Sequence, residues 1–124
     1  MKESVKVLIV EDERLTAKSL KLDLEDLGAD VLEPVAKGED SVLIALRENP
    51  DLILMDIRLA GGLDGIEAAE EIVKKKRIPI AFMTGYATDT IRERALRVRP
   101  VEFLEKPVDM DHIRRIIEFL DGSG

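Results

Sequence analysis

Val7-Leu8-Ile9-Val10-Glu11-Asp12-Glu13 sets four apolar residues directly against three acidic ones. A run that short, apolar at every position and ended by charge, reads as a β-strand buried on both faces with a polar exit. The pattern recurs in Leu52-Ile53-Leu54-Met55-Asp56 and from Ile78 to Met83, which ends at Thr84. Strands buried on both faces belong to parallel sheets covered by helices on either side.

The segments between these strands carry the expected helical stripes. Ala17, Leu20, Leu24 and Leu27 recur at helical spacing and stop at Gly28. Val42, Ala45 and Leu46 follow Gly38, and the Asn49-Pro50 step ends that helix. Ile66, Ala69, Ile72 and Val73 form a third stripe, closed by the basic run Lys74 to Arg77, whose sign suits a helix C-terminus. Ile91, Ala95 and Val98 give a weaker fourth, and Met110, Ile113, Ile117 and Leu120 a fifth. Val31 to Val35 reads as strand two, but Pro34 cannot donate to a central ladder and assigns it to a sheet edge. Val101 to Leu104 is short, which suits the opposite edge.

Strand and helix alternate five times, giving an α/β fold with a five-stranded parallel sheet doubly wound by five helices. Of the two common orders, 2-1-3-4-5 puts both edge candidates at edges. The 124 residues suffice for one domain that buries roughly two-thirds of its unfolded surface. We expect residues 1–121 to form that domain, with residues 122–124, Gly-Ser-Gly, as a flexible tail.

A hydrophobic fraction of 45% and a charged fraction of 36% describe a globular chain and not a disordered one. The net charge of −7 disfavours direct binding to nucleic acid or an anionic membrane and favours a cation or a protein partner. There is no Cys, so disulfides and thiolate metal sites are excluded. No apolar stretch approaches the ~20 residues of a membrane span, and no secretory signal precedes the first strand, so a cytoplasmic location is expected.

In open parallel sheets ligands bind beyond the carboxyl ends of the strands, where strand order reverses. Glu11, Asp12, Asp56 and Thr84 stand at such ends, and Lys106 just past the fifth strand. Close carboxylates repel one another, so the cluster needs a compensating cation. An oxygen-only donor set suits a hard ion such as Mg²⁺. With a cation, the group has the parts of a phosphoryl-transfer site: Asp56 as nucleophile, Lys106 as a point charge and Thr84 as a hydroxyl donor. The plainer reading, solvated turn residues, fits less well because four strand ends agree.

Five stretches now combine: Val7 to Glu13, Pro50 to Asp56, Asp64-Gly65-Ile66, Met83-Thr84-Gly85 and Phe103-Leu104-Glu105-Lys106-Pro107. Together, and in this order, they resemble a response-regulator receiver domain of two-component signalling, like the chemotaxis regulators, over nearly the whole chain. The resemblance implies that Asp56 is the phosphoacceptor, that Asp12 and Asp56 ligate Mg²⁺ directly, that Glu11 acts through metal-bound water, and that the Arg58 carbonyl is a further ligand. It implies that Thr84 and Lys106 hold the phosphoryl group and that Phe103 is a switch aromatic on a face made by helix four, strand five and helix five. The implied donor is a sensor histidine kinase or a histidine phosphotransfer protein, and the downstream target is a protein the sequence does not name. The chain would then be a stand-alone receiver or a piece of a longer regulator or hybrid kinase.

Arg58 and Tyr86, two residues past the acceptor and the threonine, would border the approach of water and give a long-lived phosphorylated state. The sequence departs from the pattern at Ala60, where a proline is common, in a loop lengthened by Gly61-Gly62, and at Arg99-Pro100 before strand five. Phe103 could equally be an ordinary core residue of an edge strand.

Three alternatives are weaker. An aspartyl-phosphate phosphatase of haloacid-dehalogenase type would need Asp-x-Asp-x-Thr after strand one, where Glu11-Asp12-Glu13 stands. A receiver-like module that is never phosphorylated would be expected to lack the acceptor, the lysine or the acid pair. Nucleotide-binding glycine loops are missing after strand one. His112, at the start of the last helix, reads as a surface residue and not as a phosphodonor.

Overall fold

The computed structural model describes residues 4–122. In chain order the elements are β1 (Lys6–Val10), α1 (Arg14–Asp26), β2 (Asp30–Val31), α2 (Gly38–Glu48), β3 (Leu52–Asp56), α3 (Gly65–Lys75), β4 (Ile80–Thr84), α4 (Asp89–Leu96), β5 (Glu102–Glu105) and α5 (Met110–Leu120). All pairings are parallel, and the sheet order is β2-β1-β3-β4-β5. That is the doubly wound arrangement expected from the sequence.

Alternation along the strands divides the interior into two cores. Leu8, Val10, Ile53, Met55 and Phe82 face a core shared with Ala45 of α2, Ile66 and Ile72 of α3 and Ala95 of α4. Val7, Ile9, Leu52, Leu54 and Met83 face the other, against Leu20 and Leu24 of α1 and Ile113 and Ile117 of α5. The uninterrupted apolar runs thus supply both faces at once. Among the described residues, no helix is long and apolar enough to cross a membrane.

Several boundaries need correction: β4 begins at Ile80 where Ile78 was expected, and β5 runs one residue later than Val101 to Leu104. The expected second strand, Val31 to Val35, pairs regularly only at Asp30–Val31, and Val35 returns as an isolated bridge to Val10. Pro34 has no amide, so the ladder breaks there, although Leu32 N still donates to Val7 O and Val35 N to Ile9 O. Val98, placed on the fourth helical stripe, lies beyond α4 but stays buried, its amide bonding Ala95 O. Of the expected tail, Gly122 sits in a turn, while Ser123 and Gly124 lie outside the described residues.

Helix starts follow local chemistry. Asp64 caps α3 by accepting from Glu67 N, and the Glu67 side chain answers on the Asp64 amide, a reciprocal box. Gly65 matters for a different reason. A Cβ on it would fall 2.0 Å from the Asp56 carbonyl oxygen, so the first turn of α3 packs on the backbone of the strand that carries the acid. Gly65→Ala should therefore cost about 2 kcal/mol or more in denaturant unfolding, since the clash is with backbone. Gly85→Ala, where nothing lies within 4 Å of the added atom, should change stability by less than about 0.5 kcal/mol.

Candidate functional site

β1, β3 and β4 end close to one level, and the residues just past β3 and β5 are fixed there by bonds to β4. Ile57 N donates to Met83 O at 3.0 Å, and Lys106 N to Thr84 O at 2.8 Å. Glu11, Asp56 and Thr84 are the buried polar residues at this edge; Asp12 is exposed and Lys106 half-buried. One carboxylate oxygen each from Glu11, Asp12 and Asp56 lie within 4.8 Å of one another.

Lys106, just past β5 and joined to Pro107 by a cis peptide bond, reaches back into this group. Its Nζ donates to Glu11 Oε1 at 2.6 Å and to Asp56 Oδ2 at 2.9 Å. The other oxygens are also engaged: Glu11 Oε2 accepts from Glu13 N at 3.0 Å, Asp56 Oδ1 from Arg58 N at 3.2 Å and Asp12 Oδ2 from Ala60 N at 3.1 Å.

Two buried carboxylates sharing one ammonium cannot be equally comfortable as anions. Burial pushes the Asp56 carboxyl up to about 6; the neighbouring Glu11 charge adds to this, and Lys106 only partly opposes it. Burial also acts against Glu11, but its bonds from Lys106 and the Glu13 amide outweigh that, and its pKa falls below the ordinary value. The Lys106 ammonium is likewise opposed by burial, but its two carboxylate partners raise its pKa overall. Lys106 Nζ lies nearer Glu11 than Asp56, and one ammonium cannot neutralise two buried carboxylates, so the group is short of positive charge. An all-oxygen cluster with that shortage fits a hard divalent cation.

Of the sequence-derived residues, Glu11, Asp12, Asp56 and Lys106 come together directly. Arg58 enters the network through its amide, and its side chain is exposed. Thr84 stands at the edge of the group with its hydroxyl turned to its own loop, donating to Tyr86 O at 2.9 Å and accepting from Tyr86 N at 3.2 Å. Phe103 is half-buried, 6.3 Å from the Phe82 ring, and a small cavity of about 170 Å³ lies between it and Thr84. His112 is not isolated on the surface: its Nε2 lies 2.9 Å from Glu102 Oε2.

Three further residues escaped the sequence reading. The Arg92 guanidinium of α4 lies over the Phe103 ring, 4.6 Å from its centre. Arg94, also on α4, pairs with Asp64 at 3.1 Å and so ties α4 to the cap of α3. Glu39 of α2 accepts from Leu63 N at 3.1 Å, across the loop after β3. Each joins one element to another, and charge alone on an exposed helix gives no sign of its partner.

With this geometry in hand, comparison with known proteins is informative. The family model of the response regulator receiver domain matches residues 7–118. The transcriptional regulatory protein PdtaR of Mycobacterium tuberculosis is 33% identical over 113 residues, covering 91% of this chain and 55% of that protein. The phyllosphere-induced regulator PhyR of Methylorubrum extorquens is 33% identical over 118 residues, covering 92% of this chain and 42% of that protein. The chain thus spans about half the length of the curated relatives it matches. Among solved structures, the receiver domain of a modulated diguanylate cyclase from Desulfovibrio desulfuricans superposes with a TM-score of 0.89 at 42% identity, over 97% of this chain and 95% of that one. The receiver domain of a sensor histidine kinase from Pseudomonas aeruginosa, solved with a magnesium ion in its active-site cleft, gives 0.85 at 34% identity, over 97% and 99%. Sequence match, sheet order and the acid cluster at the strand ends agree, and the chain belongs to the family of response regulator receiver domains.

Proposed function

We propose that this receiver, residues 1–121, is a phosphoacceptor switch in which Asp56 takes a phosphoryl group from the phosphohistidine of a kinase or phosphotransfer protein. The observation that carries this reading is the buried pair Asp56 and Glu11 bridged by half-buried Lys106, with Asp12 within reach of the two acids. An Asp56 carboxylate oxygen forms the new P–O bond as the donor's P–N bond breaks, and the electron pair leaves with the imidazole. No separate substrate is turned over. Bound among Glu11, Asp12 and Asp56, and at the Arg58 carbonyl, Mg²⁺ would supply the positive charge that the acids and the phosphoryl oxygens both need.

Lys106 is positioned to exchange one carboxylate contact for a phosphoryl oxygen. Thr84 can turn its hydroxyl from the Tyr86 carbonyl to another phosphoryl oxygen, trading a neutral hydrogen bond for a charge-assisted one. That turn empties space toward the cavity beside Phe103, and the ring can follow. Arg92 opposes the move, since a cation stacked on this half-buried ring is worth about 0.5–1 kcal/mol. Phosphorylation then shifts an existing equilibrium of α4, β5 and α5, the face that would meet a downstream protein.

Three outcomes follow from this reading. On the beryllofluoride adduct, NMR shifts should extend over α4, β5 and α5; shifts confined to residues touching Asp56 would contradict the coupling. Because folding raises the Asp56 pKa, the folded state holds that proton more tightly than the unfolded chain. The stabilisation is complete below about pH 4 and is lost as pH rises through about 6. Excess Mg²⁺ should therefore raise the melting temperature more at pH 8 than at pH 5, by the equivalent of about 2 kcal/mol at the higher pH, and Asp12→Ala should abolish the gain. Equal gains at both pH values would count against the metal assignment. Finally, Arg58 and Tyr86, both exposed beside the site, should shield the phosphoryl group from water. Arg58→Ala and Tyr86→Ala should each dephosphorylate faster in excess Mg²⁺, and the double variant fastest; unchanged rates in all three would refute the shielding.

A further inference from the structure

The loop joining β3 to α3, residues 57–64, borders the acid cluster and contains adjacent glycines, Gly61 with a φ of 97° and Gly62. Glycine lowers the intrinsic order of a loop, so its position depends on what holds it. At its front the loop is held by the acids themselves, through Arg58 N on Asp56 and Ala60 N on Asp12. At its back the holder comes from outside the cluster. Glu39, in the first turn of α2, accepts from Leu63 N at 3.1 Å, and its carboxylate lies against Gly62, where an added Cβ would sit 3.1 Å from Oε2.

The contact is close along its whole length. A Cβ on Gly38 would fall 2.7 Å from Leu63 O and 3.0 Å from Leu63 Cβ, so the start of α2 and the end of the loop touch backbone to backbone. The Leu63 amide is also the main reason that the Glu39 carboxyl is held below its ordinary value. Gly65 N on Ile57 O, at 2.8 Å, closes the loop at its base.

We infer that Glu39 is a positioning residue for the cation and phosphoryl site, holding the Leu63 amide and so fixing the loop whose Arg58 and Ala60 backbone borders the acids. The inference rests on the phosphoacceptor reading above. Without Glu39 the Leu63 amide loses its acceptor and the loop is held less firmly, so cation binding must do more of the ordering. Since the carboxylate is exposed, the effect is modest and falls on binding more than on folding.

The test is calorimetric titration of the 124-residue chain with MgCl₂, together with amide exchange of Ala60 and Leu63 in the metal-free protein. Glu39→Ala should weaken magnesium binding by about threefold to tenfold and speed exchange at both amides, with little change in melting temperature. Glu39→Gln, whose carbonyl oxygen can still accept from Leu63 N, should recover most of the affinity, which loss of a surface charge alone would not allow. Equal affinity in wild type and Glu39→Ala, or Glu39→Gln as weak as Glu39→Ala, would overturn the role. Failure of the wild type itself to bind magnesium would overturn the functional reading first, and this role with it.

Discussion

Two carboxylates, Glu11 and Asp56, are buried side by side at the ends of neighbouring strands with one ammonium between them. Burial makes each anion costly, proximity adds repulsion, and Lys106 can compensate only one of them fully. The sheet imposes this arrangement: β1 and β3 are neighbours in register, and their side chains exit the same edge. Much else follows from it. The group is left short of positive charge, a shortage that a hard cation would relieve. The surrounding loops supply amides to the second oxygens of Glu11 and Asp56 and to one oxygen of Asp12.

Few contacts link this cluster to the outer surface. Thr84 is buried at the edge of the group and its hydroxyl bonds only the Tyr86 backbone of its own loop, so the hydroxyl can be redirected without breaking a core contact. Phe103 has a partner on each side, Phe82 inward and Arg92 outward. Arg94 on Asp64 joins the same helix to the cap of α3. Helix α4 is therefore tied both to the aromatic and to the loop after the acceptor strand, by exposed or half-buried contacts each worth no more than about 1 kcal/mol. Ties this weak would let α4 take a second position under the proposed switch, because a ligand shifts an equilibrium only by its differential interaction with the two states.

The sheet and its order were legible in the sequence because both faces of the inner strands are buried, which leaves runs such as Leu52-Ile53-Leu54-Met55 unbroken by polar residues. Pro34 marked an edge correctly, but the strand around it was drawn too long, since the missing amide interrupts the ladder that the apolar pattern suggests. The convergence of Glu11, Asp12, Asp56 and Lys106 was readable because strand ends share an edge. The stacking of Arg92, the anchoring by Glu39 and the resting orientation of the Thr84 hydroxyl were not. They depend on side-chain directions between elements that no periodicity encodes, on helix faces where charged residues are ordinary.

The central claim, that Asp56 is the residue that receives phosphate, is tested most directly by peptide mass spectrometry after incubation with acetyl phosphate and Mg²⁺. The account predicts one phosphoryl adduct on the peptide containing Asp56, dependent on Mg²⁺ and lost in Asp56→Asn. An adduct persisting at wild-type level in Asp56→Asn, or one located on another residue of the wild type, would contradict it.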